Sequence, residues 1–364
     1  MTASEARIAQ SHCRHSGLDR DTRVVAARGG RLSVRLSRGG VLITVIGWAG
    51  ALAVAAVSLT LGEFPISVAD ATRVLGGGGS LIERDVVLSD RLPRAVTGLG
   101  VGAAFALSGA ILQRLAGNPL VSPDVIGINS GAALGALFVL TALGGSGAML
   151  VGGALLGALV AAFAILLISY KRGLHGFRLV LVGIGVAAML TSGISYLLTR
   201  ADIHEAISAA AWLTGSLGNR TTMHVAIIGV TLLVVVPALI VLARQLQLLE
   251  LGDDLAASLG SRQRHRIGLV LIAVILAAMA TAAAGPIGFV ALVAPQIARR
   301  LLAERHSGLP SAAAVGALLV VGADLAARLL FAPSAMPVGI LTAILGAPVL
   351  LYLLARANRI GSAG

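Results

Sequence analysis

Arg91-Leu92-Pro93-Arg94 opens a stretch in which 18 uncharged residues, Ala95 to Leu112, lead into Gln113-Arg114-Leu115-Ala116-Gly117-Asn118-Pro119-Leu120. A hydrocarbon core of about 30 Å is crossed by a helix of about 20 apolar residues, so this run reads as a membrane span. Its ends are unlike: a basic pair with proline at one, a polar Asn-Pro turn at the other. Each end therefore meets different surroundings.

The rest of the chain repeats the pattern. Of 364 residues 57% are hydrophobic and 12% charged, against about 45–50% and about 25% in soluble domains. Only 3% are aromatic, so the surplus is Ala, Val, Leu and Gly. Backbone polar groups inside lipid must be satisfied within each segment, which makes this an all-α, polytopic membrane protein. Its net charge of +12 raises nucleic-acid binding, but the basic residues lie between apolar runs with no interleaved aromatics, and topology accounts for them. Cys13 is the sole cysteine, so no internal disulfide forms.

About ten spans are expected, near residues 41–61, 94–113, 125–143, 148–170, 179–199, 223–243, 267–284, 287–302, 311–330 and 338–355. The eighth is short and sits beside Pro286 and Pro295. Ala209–Gly218, with Trp212, is too short to cross and reads as a surface or re-entrant helix. Residues 1–38, with eight arginines and three acids, are expected to form a disordered cytoplasmic tail ahead of a permease domain at 39–360. Val41–Leu61 is long enough to span and lacks an Ala-x-Ala site, so no cleaved signal peptide is expected. His12, Cys13 and His15 are too few ligands for a metal.

With the N-terminus inside, 21 of the 28 basic residues fall on inner segments and seven outside: Arg73, Arg84, Arg91, Arg94, Arg200, Arg220 and Arg328. This bias places both termini in the cytoplasm and leaves the outer arginines needing a reason. Glycines within spans, as at Gly98, Gly100, Gly102 and Gly109, read first as close helix packing.

Several chemistries are missing. No P-loop, His-Glu-x-x-His or Gly-x-Ser-x-Gly pattern occurs, so the chain is not expected to be an enzyme or to hydrolyse ATP itself. The spans are nearly free of charge except Asp324, which Arg328 can pair with one helical turn on. An ion-coupled carrier would place ionisable groups near mid-membrane. A chain that transports without motor or coupling ion takes its energy from a partner, which leaves a secondary carrier as the alternative of another class. Between the sixth and seventh spans, Glu250-Leu251-Gly252-Asp253-Asp254-Leu255-Ala256 continues to Leu259-Gly260. Leucines every fourth residue, with acids near the start and glycine at each end, form a short inner helix suited to a groove on a soluble protein.

These motifs together resemble the ten-helix permease subunits of binding-protein-dependent ABC importers for ferric siderophores, haem and vitamin B12, over about Val41 to Arg359. The resemblance rests on Arg91-Leu92-Pro93-Arg94, Ser108-Gly109 with Gln113, Asn118-Pro119-Leu120 with Pro123, Gly127 with Gly131-Ala132, Trp212 with Gly215-Ser216-Leu217, Leu251 through Gly260, Gly285-Pro286-Ile287-Gly288-Phe289-Val290, Pro295, Ala298-Arg299, Asp324, Arg328 and Met336-Pro337-Val338-Gly339. It implies a second permease subunit, identical or paralogous, a cytoplasmic ATPase dimer holding ATP and Mg, and an extracytoplasmic binding protein or lipoprotein. No cofactor on this chain is implied.

By the resemblance, Glu250, Leu251, Gly252, Asp253, Asp254, Leu255, Ala256, Leu259 and Gly260 form a coupling helix pair on the ATPase. Arg91, Arg94 and Arg328 meet acidic residues of the binding protein, and Ser192, Ser195, Tyr196 and Thr199 line the pathway. The cargo implied is a ferric siderophore of the enterobactin type, with haem, cobalamin or another metal chelate as alternatives. Three positions depart from the family pattern: Gln296 for histidine, Ala291 for glycine and Ala335 for an acid.

Overall fold

Every apolar run of the sequence is a helix in the computed structural model, which describes residues 22–27, 32–62, 64–170, 176–250, 252–302, 308–332 and 336–361. The first structured element is not helical. Strands β1 (Thr22–Ala27) and β2 (Leu32–Ser37) pair antiparallel, Thr22 opposite Ser37 and Ala27 opposite Leu32. Both strands fall within the segment read as a basic tail, and Leu32, Val34 and Leu36 alternate with the period of a strand. Residues 1–21 lie outside the described residues.

Helix α1 (Arg38–Thr60) follows β2 without a break, then α2 (Val68–Leu75) and α3 (Leu81–Arg84). From α3 the chain runs through a π-helical turn, Asp85–Arg91, into α4 (Leu92–Ala116), with Pro93 in its first turn, where a missing N–H costs little. Beyond it come α5 (Pro123–Ile126), α6 (Ile128–Ala142), α7 (Ala148–Ser169), α8 (Gly176–Arg200), α9 (Ile203–Leu213), α10 (Thr222–Leu249) and α11 (Asp253–Ser258). The last four are α12 (Gln263–Ala284), α13 (Val290–Leu301), α14 (Leu309–Leu330) and α15 (Val338–Gly361).

Among the described residues, seven helical stretches are long and apolar enough to cross a membrane: α1, Leu81–Ala116, α7, α8, α10, α12 and α14. The other three of the ten expected spans are shorter apolar helices. Helix α6 has 15 residues, α13 has 12, and the apolar part of α15 is Val338–Tyr352. Each of these begins at irregular backbone, so part of its crossing is made by non-helical chain.

Helix α4 is the axis of the bundle, with 89% of its most apolar window buried. Its glycines explain how. A Cβ at Gly102 would lie 2.3 Å from the Gly316 carbonyl oxygen of α14, and one at Gly109 would lie 1.8 Å from that of Ala291 on α13. Gly100 admits Ile228 of α10. Backbones touch where lipid offers helices no hydrophobic reason to associate, so packing must supply the attraction.

Three irregular segments interlock at the end of α4 that carries Arg91. Ser216 N–H donates to the Ala284 carbonyl and Gly339 N–H to that of Gly215, while Gly285 and Gly215 lie against each other in left-handed or open conformations. Trp212, Gly215, Gly285 and Gly339, widely spaced in sequence, meet here. Ala209–Gly218 is therefore divided between the end of α9 and this re-entrant turn.

Replacing Gly109 with valine is expected to abolish the monodisperse, detergent-extracted protein, since the clash is with backbone. Gly152→Val, where a Cβ meets nothing within 4 Å, is expected to leave the yield unchanged in size-exclusion chromatography. Equal yields for the two variants would refute the packing role of Gly109.

Candidate functional site

Two of the arginines singled out in the sequence, Arg94 and Arg328, converge on a single carboxylate, Asp324. Arg94 grips Asp324 through Nε and Nη2, at 2.8 to 3.2 Å, in the bidentate geometry that guanidinium and carboxylate share. Arg328, one turn along α14 from Asp324, approaches its other side at 3.4 Å. All three side chains are largely buried. Arg91 is turned inward as well, donating to the Leu59 and Phe64 carbonyls, where it caps the end of α1 and fixes the loop that follows.

Arg91, Arg94 and Arg328, expected to meet acidic residues of a binding protein, all have acceptors in this chain. Each is engaged within the chain, because a buried guanidinium is costly without an acceptor. Arg220, which the sequence marks only as an outer exception, holds the Ser216 carbonyl through Nε and Nη2 and so anchors the re-entrant turn. Burial first, and then the nearby Arg94 charge, lower its pKa to about 10, which leaves it charged at neutral pH.

The opposite end of α4 is built from amides. Gly117, in the left-handed conformation, closes the helix, and Asn118 Oδ1 accepts from Leu120 N–H, so the Asn-Pro turn is the structural cap its sequence indicates. Gln113 donates to the Leu292 carbonyl of α13, and Gln296 returns a 2.6 Å bond to Gln113 Oε1 while also reaching the Pro119 carbonyl. Gln296, a departure from the family pattern, thus joins α13 to both sides of the turn at the end of α4.

The sequence gives Asp124 little prominence, yet it is buried between α5 and the start of α13. Its carboxylate accepts from Asn129 Nδ2 and from Phe289 N–H, and Asn129 Oδ1 accepts from Thr281 of α12. Phe289 is one of two non-glycine residues with positive φ among the described residues, at 66°. Asp124 and the small Gly346, against which the Phe289 ring lies, hold this strained start of α13. The signal available in sequence was the Ser122-Pro123 cap beside a lone acid.

The 250–260 segment lies at this same end. Helix α11 has six residues between Gly252 (φ 96°) and Gly260 (φ 88°), and no second helix follows before α12. The expected helix pair is corrected to one helix and a turn. Ala256 is buried, whereas Leu255 and Leu259 are 59% and 57% exposed. Leu251 lies outside the described residues, and Asp253 and Asp254 open the helix. On α8, Ser192, Ser195, Tyr196 and Thr199 all lie on its exposed side; the three hydroxyls of Ser192, Ser195 and Thr199 bond to carbonyls of their own helix.

A bundle of apolar helices with breaks in three of them, a carboxylate clamped at one end and a short helix with an exposed leucine at the other has the form of a polytopic membrane protein. The chain belongs to the FecCD transport family, whose pattern it matches over residues 50–356, and it is a permease component of the ABC transporter class. It is 42% identical over 275 residues to the ferric enterobactin transport system permease protein FepG of Escherichia coli, covering 75% of this chain and 83% of that one. It is 38% identical over 312 residues to the iron(3+)-hydroxamate import system permease protein FhuG of Bacillus subtilis, covering 83% and 93%. Among solved structures, an inward-facing metal-chelate type ABC transporter superposes with a TM-score of 0.75 at 29% identity, over 87% of this chain and 99% of that one.

Asp324→Asn, which strands Arg94 and Arg328, is expected to cost about 3–5 kcal/mol, as for breaking a buried pair from one side. Arg73→Gln, which removes a pair whose arginine is 60% exposed, is expected to cost no more than about 1 kcal/mol. Thermal unfolding of the purified variants measures both; a midpoint for Asp324→Asn equal to that of the parent would refute the clamp.

Proposed function

We propose that this chain is the membrane-spanning permease of a binding-protein-dependent importer, and that it carries a ferric siderophore inward on ATP hydrolysed, with Mg, by a partner ATPase dimer. The observation that carries the reading is α11. Two exposed leucines one turn apart stand on a helix whose inner face is seated by Ala256, at the end of the bundle where the arginine bias places the cytoplasm. Exposed apolar pairs on a soluble-facing helix fit a groove on a partner, and no ATP-binding motif lies in this chain to take the partner's place. Asp324, neutralised by two arginines, gives no support to an ion-coupled carrier.

The names of the relatives favour iron chelates over haem or cobalamin as cargo. The binding protein delivers the chelate to the end where Arg94 and Arg328 lie, and its carboxylates compete there with Asp324 for them; Arg91 serves the loop instead. The exposed side of α8, with Ser192, Ser195, Tyr196 and Thr199, faces the pathway between this subunit and a second permease. ATP binding closes the ATPase dimer, and the push on α11 turns the bundle from outward to inward access.

Leu255→Asp is expected to detach the ATPase and to lower chelate uptake at least ten-fold in vesicles that hold ATP and carry the binding protein. Co-purification and uptake at parental levels would defeat the assignment of α11. Uptake driven by an ion gradient without internal ATP would defeat the importer reading altogether.

A further inference from the structure

Arg114 closes the cytoplasmic end of α4, and its Nε lies 2.9 Å from Glu250 Oε1. The arginine side chain is 6% exposed and the glutamate 43%, so the pair sits at the rim of the bundle with its cation inside. The two residues belong to unlike parts of the molecule. Arg114 ends the most buried helix, whereas Glu250 ends α10, immediately ahead of α11.

Only 22% of the most apolar window of α10 is buried, and it meets α4 at Gly100 through Ile228, far along that helix from Arg114. A displacement of α11 passes first to α10. The ion pair gives that displacement a direct route into α4, which through Gly102 and Gly109 is in backbone contact with α14 and α13. Arg299 of α13 lines the same crevice as Arg114, so a second guanidinium lies near the one that Glu250 pairs. Without Glu250 these like charges would be left opposed, and Arg114 Nη1 already has no hydrogen-bond partner among the described residues.

We propose that Arg114 is a positioning residue that couples the two parts: through Glu250 it converts movement of α11 into movement of α4 and of the helices packed on α4. This rests on the reading of α11 as the ATPase contact. Neither residue touches cargo or nucleotide in this scheme. What the pair sets is the number of chelates moved per ATP hydrolysed.

The test uses the complex of permease, ATPase and binding protein in proteoliposomes, with uptake of an iron-loaded siderophore and phosphate release measured together. Arg114→Gln is expected to lower uptake per ATP at least five-fold while the ATPase still co-purifies. Exchange of the charges, Arg114→Glu with Glu250→Arg, is expected to recover at least half of the parental ratio. Should Arg114→Gln fail to insert, Glu250→Gln, at a half-exposed position, is expected to lower the ratio likewise.

A parental ratio in the single variants, or no recovery on exchange, overturns the proposal. Failure of the ATPase to bind even the parental chain would instead overturn the reading of α11.

Discussion

Lipid offers the backbone no hydrogen-bond partner, and the structure is organised around that constraint. Three stretches leave the helical conformation within the bundle, near Gly215, Gly285 and Gly339, and each finds its partners in another of the three. A fourth, between α4 and α6, is held by Asp124, Asn129, Gln113 and Gln296, whose side chains satisfy main-chain groups or each other. The short helices α6, α13 and α15 follow from this. A chain that supplies its own polar partners can give up helical turns inside the membrane and keep openings where a continuous helix would close them.

Polar side chains in such a bundle are consumed by the fold before they are available for function. Arg91, Arg94 and Arg220 spend their donors on two helix ends, one carboxylate and one turn. This is why an excess of arginine at one end does not translate into a surface of free cations. The hydroxyls of α8 are likewise returned to their own helix. What remains outward on that side of α8 is apolar or weakly polar.

Helix positions were legible from apolar run length, and the central place of α4 from its glycines. The pairing of Asp324 with Arg328 was visible as a one-turn spacing, but the stronger partner, Arg94, lies 230 residues away along the chain and carries no local signal. Asp124 was hidden for the same reason: its acceptors and donors are set by tertiary contact with Phe289 and, through Asn129, Thr281. The three short helices lie within a few residues of the apolar runs that mark them, while the turns that precede them carry no hydropathy signal. Leu255 and Leu259 stand one turn apart in sequence and both are exposed, Leu259 as the C-cap of α11.

The glycines of α4 bear on how this subunit can change over generations. Gly98, Gly100, Gly102 and Gly109 are each opposed by a different neighbour: Leu217 with Val321, Ile228, Gly316 and Ala291. A larger residue at any one of them calls for a concession in a different helix, and no single concession serves two. Drift along this helix therefore requires paired changes whose intermediates are both unfit. The outer faces of α8 and α10 meet no such limit within the chain.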